Sequence, residues 1–242
     1  MRLRTALLAG ILLGLPAASP ADQTPRHAGA AASSDAADGA AQHPAGAATS
    51  HRRFDDVEHW ERVFDDPQRA TWQKPAELVA ALGLAPGMVV ADVGAGTGYF
   101  SRFLAAAVGP SGTVLAADPE PNLVVHLRER AEREATANVV PVLIPRNHPG
   151  LPPGLVDLVL IVDTYHHIDG RHAWLERLRG ALRPAGRVAI VEWQKRPLPV
   201  GPEMEHKLAR EQVVDEMTAS GFELVGEPDI LPYQYLLIFR RR

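Results

Sequence analysis

Cysteine is absent from the 242-residue sequence. That excludes disulfides, thiolate metal sites, a cysteine nucleophile and a lipid-modified N-terminal cysteine. A surplus of positive charge is missing as well, with 25 Lys+Arg against 29 Asp+Glu and a net charge of −4. Apart from the short tail Arg240-Arg241-Arg242, there is no basic footprint for nucleic acid. No long apolar run is present either. Residues 5–15 form an almost unbroken one, too short to cross about 30 Å of hydrocarbon as a helix. What remains, 46% hydrophobic and 22% charged residues, is near the globular average and sufficient for a sizeable core.

The first residues carry Arg2 and Arg4, then the apolar run, then Pro16 and the small residues Ala17, Ala18, Ser19, Pro20 and Ala21. A positive start, a short apolar stretch and a small-residue cleavage region predict a secretory signal over 1–21, and with it a periplasmic or secreted protein. An uncleaved anchor or a wrongly placed start codon is the alternative, and without a working signal the protein is cytoplasmic. Residues 22–53 contain no Val, Ile, Leu, Met, Phe, Tyr or Trp. Such a stretch cannot bury enough apolar surface to offset its ordering entropy, so a disordered linker is expected there. The folded domain is expected over 54–242, with no membrane span in the mature form.

Phe54, Val57, Trp60, Val63 and Phe64 recur at helical spacing and predict a helix over 54–65. Pro75 opens a second over 75–82. Short apolar runs predict strands at 88–93, 113–117, 139–144, 156–162 and 187–192, with closing strands at 222–225 and 233–239. Helices are expected between them at 99–108, 121–134 and 171–182, and a long last one at 203–220. The charge run 128–133 reads as a solvated helix face, and 183–186 as a turn. Strands alternating with helices in this way imply an α/β protein with a largely parallel sheet covered on both faces.

The strand 88–93 runs into Gly94-Ala95-Gly96-Thr97-Gly98, and a helix follows. Glycines there allow close backbone approach, and a helix start offers unpaired N–H groups at the edge of the sheet where α/β proteins bind ligands. The dinucleotide pattern G-x-G-x-x-G fails, because Tyr99 stands where the third glycine belongs. That disfavours a nicotinamide-dependent oxidoreductase. The pattern is D-x-G-x-G-x-G, with Asp92 on the strand, and a second acid, Asp118, ends the next strand. An acid there can accept hydrogen bonds from both hydroxyls of a ribose. No Walker lysine accompanies the loop, so phosphate chemistry is not expected.

The segment from Val90 to Tyr99 resembles the first motif of class I S-adenosylmethionine (SAM)-dependent methyltransferases. Ala117-Asp118-Pro119, the segment from Leu155 to Val159, and the segment from Leu182 to Val188 resemble its later motifs in order and spacing. The nearest flavour is the methyltransferase-11 or quinone-biosynthesis-type domain. The resemblance implies a Rossmann-like, doubly wound sheet of seven strands in the order 3-2-1-4-5-7-6, the last antiparallel. It implies that Gly94, Ala95, Gly96 and Gly98 pass under the cofactor, that Asp92 supports the loop and the cofactor's amino group, and that Asp118 holds the ribose. Position 147 falls where the family reads adenine, often with Asp; here Asn147 stands between Arg146 and His148.

The fourth strand ends in Asp163-Thr164-Tyr165-His166-His167. The proline pair that nitrogen-directed members carry at this place is absent, which counts against nucleic-acid or glutamine methylation. Asp163 is expected as a further cofactor contact, and Tyr165, His166 and His167 are expected at the mouth where an acceptor meets the methyl group. A neutral histidine is suited to take a proton from a phenol or an activated carbon acid, so His166 or His167 is the expected base. The histidines match no zinc pattern, and no metal is expected. Glu192-Trp193 also faces the expected pocket, and the turn around Trp72 and Gln73 is expected to close over the methionine end. The reading is a methyltransferase acting on a small molecule; a catalytically silent SAM-binding sensor or partner-binding module is the alternative. Arsenite methylation, found elsewhere in the family, relies on thiols this chain lacks. An export signal sits uneasily with a cofactor made in the cytoplasm.

Overall fold

The computed structural model describes Phe54 and residues 56–242. The signal and linker expected over 1–53 lie outside the described residues. Helix α1 (Val57–Phe64) opens on Asp56, whose carboxylate accepts the His59 N–H at 2.9 Å and so satisfies one of the donors a first turn leaves open. A short α2 (Arg69–Gln73) and α3 (Pro75–Ala81) follow. They are split at Lys74, whose φ of 45° is left-handed. The sheet then alternates with helices: β1 (Val89–Val93), α4 (Ser101–Val108), β2 (Thr113–Asp118), α5 (Pro121–Arg133), β3 (Val139–Leu143), β4 (Val156–Val162), α6 (Arg171–Ala181) and β5 (Leu182–Trp193). Helix α7 (Arg210–Ala219), β6 (Phe222–Gly226) and β7 (Gln234–Arg241) close the chain. Pro75 and Pro121 occupy the first position of their helices, where the missing N–H has no helical partner to lose.

The seven strands lie in the order β3-β2-β1-β4-β5-β7-β6, as expected. Strands β1 to β5 pair in parallel, and β7 runs antiparallel to both β5 and β6. Neighbouring residues of a strand face opposite sides of the sheet, so β1 sends Val90 to one core and Ala91 and Val93 to the other. Helices α3, α4 and α5 cover the first with Leu78, Leu104 and Leu127. Helices α6 and α7 cover the second with Trp174, Leu178 and Met217. Burial on both faces explains why the inner strands read as continuous apolar runs rather than alternating ones.

Three expectations fail locally. The long helix expected over 203–220 is a single 3-10 turn, Met204–His206, followed by extended chain and then α7. The extended residues are held by tertiary bonds: Lys207 Nζ donates to the Arg196 carbonyl at 3.0 Å, and the Leu208 carbonyl accepts from the Tyr235 hydroxyl at 3.2 Å. The turn expected at 183–186 belongs to β5 instead, with Leu182 opposite Val156 and a register shift before Leu158 pairs with Arg187. A Cβ on Gly186 would stand 2.9 Å from the Leu182 Cβ and 3.0 Å from two carbonyl oxygens, so only glycine lets the strand fold back on itself there. Finally, the charge run on α5 is not wholly solvated. Arg130 is buried and paired with Asp65 and Glu134, each at 2.8 Å.

Candidate functional site

The carboxyl ends of the parallel strands open into a cleft of about 750 Å³. The glycine loop forms its floor. Gly94 donates to the Ala117 carbonyl at 2.8 Å, which ties the start of the loop to the end of β2. Its φ is 73°, and a Cβ built there would fall within the side chain of Thr164. Left-handed strain costs a residue with a Cβ about 1–3 kcal/mol, and the overlap adds to it. Gly94→Ala is therefore expected to lower stability by at least that amount, read as a fall in the midpoint of thermal unfolding; an unchanged midpoint would show that Thr164 yields freely.

Asp118, at the end of β2, braces the loop from the side. One carboxylate oxygen accepts the Gly96 N–H at 2.9 Å and the other accepts the Glu120 N–H at 2.9 Å. Each oxygen carries a second lone pair, and the residue lines the cleft. Burial lifts its pKa to about 7, against the opposing pull of the two N–H donors.

The structure separates the sequence-predicted residues into two groups. Gly94, Ala95, Gly96, Asp118, Asp163, His166 and His167 line the cleft. The other four do not. Asp92 lies beneath the loop, where its carboxylate accepts the Ser101 hydroxyl at 2.7 Å, and burial raises its pKa to about 6. Gly98 faces Leu127 of α5, with 2.8 Å from a built Cβ to the nearest methyl carbon, so it serves helix packing. Asn147 is exposed, its carbonyl accepting from Arg177 at 3.4 Å; its neighbour Arg146 lines the cleft instead. Tyr165, expected at the mouth, is fully buried on the far side of the 3-10 turn Tyr165–His167, its hydroxyl 3.0 Å from Glu216. Its side chain packs into the hydrophobic core, away from the cleft that His166 and His167 line.

His166 is the centre of the catalytic end. Its Nδ1 lies 2.9 Å from both oxygens of Glu192, and its backbone N–H donates to the same carboxylate at 3.0 Å. Glu192 is completely buried at the end of β5. Burial alone would lower the His166 pKa, but the charge and hydrogen bond of Glu192 carry it above the ordinary histidine value. A carboxylate at Nδ1 fixes the tautomer and leaves Nε2 as the basic nitrogen.

Asp163 sits beside this pair in a left-handed conformation, with φ of 51°. Burial and the charge of Glu192 lift its pKa to about 7, opposed by Arg69. A closed ring of polar side chains holds it. Gln234 donates to Asp163, Gln73 donates to Gln234 at 2.9 Å, and Arg69 donates to Gln73 at 2.6 Å. Arg69 also stands 3.9 Å from Asp163 and lies over the Tyr99 ring at 4.3 Å. It lines the cleft beside the glycine loop. The sequence puts Gln73 in a turn expected to close over the site but gives no sign of its partner Gln234, because the two meet only when α2 and β7 come together.

Part of the cleft wall is aromatic. Trp72 and Trp193 stand with ring centroids 5.1 Å apart, and Gly201 presses on the Trp193 indole so closely that a built Cβ would be 2.7 Å from it. At the other end, Phe54 and Phe64 line the cleft, and the Phe64 ring comes within 3.5 Å of a Cβ built on Gly96. Among the described residues, no group of three or more His, Asp or Glu is placed to hold a metal ion.

The raised pKa values of Asp92, Asp118 and Asp163 have a sign that can be tested. A carboxyl that titrates near 6 or 7 in the fold and near 4 when unfolded binds more protons when folded, so its contribution is complete at low pH and lost as pH rises to about 7. The ligand-free protein is expected to unfold at a higher temperature near pH 5 than near pH 8. The opposite order would show these carboxyls to be better solvated than their burial implies.

Residues 91–188 match the family model described as methyltransferase domain. A ubiquinone/menaquinone biosynthesis C-methyltransferase of Hydrogenovibrio crunogenus is 30% identical over 126 residues, 51% of this chain and 48% of that protein. A protein-L-isoaspartate O-methyltransferase of Aeropyrum pernix is 43% identical over 67 residues, 28% of this chain and 26% of that protein. The chain therefore spans half or less of the length of these relatives. Among solved structures, a SAM-dependent methyltransferase from Aquifex aeolicus superposes with a TM-score of 0.72 at 26% identity, covering 77% of this chain and 98% of that one. The sheet order and the braced glycine loop agree with these likenesses: the chain has the fold of the class I SAM-dependent methyltransferases, and its residues 91–188 are similar to a methyltransferase domain.

Proposed function

We propose that this protein transfers the methyl group of SAM to a small, flat acceptor that loses a proton from oxygen or carbon. The observation that carries the reading is that a single cleft joins the Asp118-braced glycine loop to the Glu192-held His166. The residues present suit the cofactor. Asp118 has lone pairs left for two ribose hydroxyls, the glycine loop lets the backbone approach, and Arg69 offers a cation for the carboxylate of the methionine end. Asp163 offers an anion near the amino group, and Asp92 supports the loop from below. When bound, SAM supplies a methyl carbon on a sulfonium sulfur, open to in-line displacement by the acceptor.

The remaining work falls to the chain's own side chains. Trp72 and Trp193 give a planar acceptor an apolar face on which to stack. His166 takes the acceptor's proton at Nε2, and Glu192 stabilises the imidazolium that results. Phe54 and Phe64 shield the loop from water. Alignment of the reacting groups in such a cleft contributes up to about 7–11 kcal/mol of the barrier. The carbon methylation named for the quinone-biosynthesis relative supports an acceptor made nucleophilic by proton loss.

Calorimetric titration of SAM into the full chain tests the cofactor, with NADH and Asp118→Ala as controls. Micromolar binding that is lost with NADH and weakened in the variant is expected. A screen of hydroxylated aromatic compounds, read by mass spectrometry for a gain of one methyl group, then tests turnover. Binding without turnover of any acceptor would favour a SAM-binding sensor. We further propose export through the signal at 1–21. Cell fractionation and N-terminal sequencing of the mature chain test it, and a full-length protein in the cytoplasm would overturn it. Among the described residues, no helix is long and apolar enough to cross a membrane.

A further inference from the structure

We propose that Arg130 is a positioning residue that latches α1 to the glycine loop, so that this helix acts as the retaining lid of the cofactor site; the idea rests on the SAM site proposed above. Helix α1 buries none of its own residues, yet its C-terminal end is placed over the loop. Phe64 covers Gly96, and Phe54 and Val63 join it on the cleft wall. A ligand lying along the loop has to pass beneath that edge.

Between α1 and the rest of the described residues, the shortest ion pair is made by Arg130. Arg130, its side chain 8% exposed on α5, donates from one nitrogen to Asp65 at 2.8 Å and to the Thr97 carbonyl at 3.0 Å. Asp65 caps the end of α1 and Thr97 lies within the glycine loop, between Gly96 and Gly98. The Arg130 Nε meanwhile donates to Glu134, one turn along α5, at 2.8 Å, which sets the direction of the guanidinium. The guanidinium thus serves Asp65 and Thr97 from one nitrogen and Glu134 from another held in the same plane, a span that a single ammonium nitrogen does not offer. The other ion pairs between α1 and α5 are longer: Glu61 stands 4.0 Å from His126 and 3.7 Å from Arg133. Arg69 makes a further tie, donating to the Phe64 carbonyl at 2.8 Å.

The junction also retains unused bonding capacity. Asp65 Oδ1 and Thr97 Oγ1 are buried and have no hydrogen-bond partner, an unfavourable state for buried polar atoms. Both flank the Arg130 contact. A helix with so little buried surface opens at low cost, and one bridging side chain then decides how often it does so. Lid and loop move as one unit while the bridge holds, and separately once it breaks.

Hydrogen exchange of the full chain and stopped-flow release of SAM test the latch. Arg130→Met is expected to speed exchange of the α1 amides at least tenfold, while the amides of β4 and β5 stay protected. SAM release is expected to accelerate at least tenfold, with association little changed. Arg130→Lys should recover only part of the loss. Asp65→Asn, which keeps the side-chain shape, should reproduce it, and Asp65→Asn with Arg130→Met should be no worse than the poorer single variant. Unchanged α1 exchange in Arg130→Met and Asp65→Asn, or fully additive losses, would overturn the proposal. If the wild-type protein does not bind SAM, the proposed function fails, and the exchange data alone still decide the latch.

Discussion

Replacing His166 with alanine is expected to lower the turnover rate about 100- to 10,000-fold, the usual contribution of a positioned general base. SAM affinity should stay within about twofold, since Glu192 and not the glycine loop holds the imidazole. The measurement is kcat beside a calorimetric SAM titration, using an acceptor found by turnover. A large loss of SAM affinity with kcat preserved would instead put His166 in the cofactor shell. The pH profile adds a second test. Glu192 raises the His166 pKa above its ordinary value, so the rising limb of activity in the wild-type enzyme should lie at a correspondingly higher pH. Glu192→Gln removes the charge and keeps the shape. Its rising limb should move to lower pH and its maximal rate should fall, because a less basic imidazole is a weaker proton acceptor. His167 lines the same cleft, and His167→Ala is expected to cost less than about tenfold, as for a group that contacts the acceptor without moving its proton. If the two histidine variants behave in the reverse order, the base is His167 and the Glu192 pair is structural.

The difference between what could and could not be read in advance follows from the range of each interaction. The strands β1, β2 and β4 are written in local apolar runs punctuated by glycine and proline, while their order in the sheet comes from the resemblance; Gly94 follows β1 directly, Asp118 ends β2 and His166 stands four residues past β4. Motif and strand end are adjacent in sequence, so one locates the other. Tyr165 shows where adjacency misleads. It is next to His166, but the 3-10 turn sends it into the core beside Glu216. Asp92 and Gly98 show the same limit for the glycine loop, since both belong to the motif yet face Ser101 and Leu127 instead of the cleft. The ring of Arg69, Gln73, Gln234 and Asp163 joins residues up to 161 positions apart, and no pattern within one segment announces it. Arg130 was hidden by its neighbours: charges at 128, 129, 132 and 133 make the helix face look solvated, and only the fold shows that this one guanidinium turns inward. The expected helix at 203–220 fails for a related reason. Its first half has acceptable helical composition, but tertiary bonds from Lys207 and to Leu208 offer that backbone a better arrangement.

Asp118→Ala is expected to weaken SAM binding by about 1–3 kcal/mol, roughly 5- to 150-fold, through the loss of charge-assisted hydrogen bonds. The same carboxylate makes the affinity of the wild-type protein depend on pH. With a ligand-free pKa of about 7, Asp118 is protonated in part of the population at neutral pH, and a protonated carboxyl is the poorer acceptor for hydroxyl donors. Binding therefore draws the group toward its ionised form, and affinity is complete above about pH 7 and lost as pH falls below it. Linkage to one such group makes binding about tenfold weaker near pH 6 than near pH 8. The direction is opposite to that of the ligand-free fold, which gains stability as the buried carboxyls protonate. Asp163 titrates in the same range and also lines the cleft, so the wild-type profile alone does not assign the effect. The variant does. If Asp118→Ala binds weakly and equally at both pH values, Asp118 carries the dependence and holds the hydroxyls. If it binds weakly but keeps the tenfold change, the proton belongs to Asp163, and the acid beside His166 is the one that SAM's positive charge orders. If its affinity matches the wild type, Asp118 does no more than brace the loop through Gly96, and the ribose is held elsewhere.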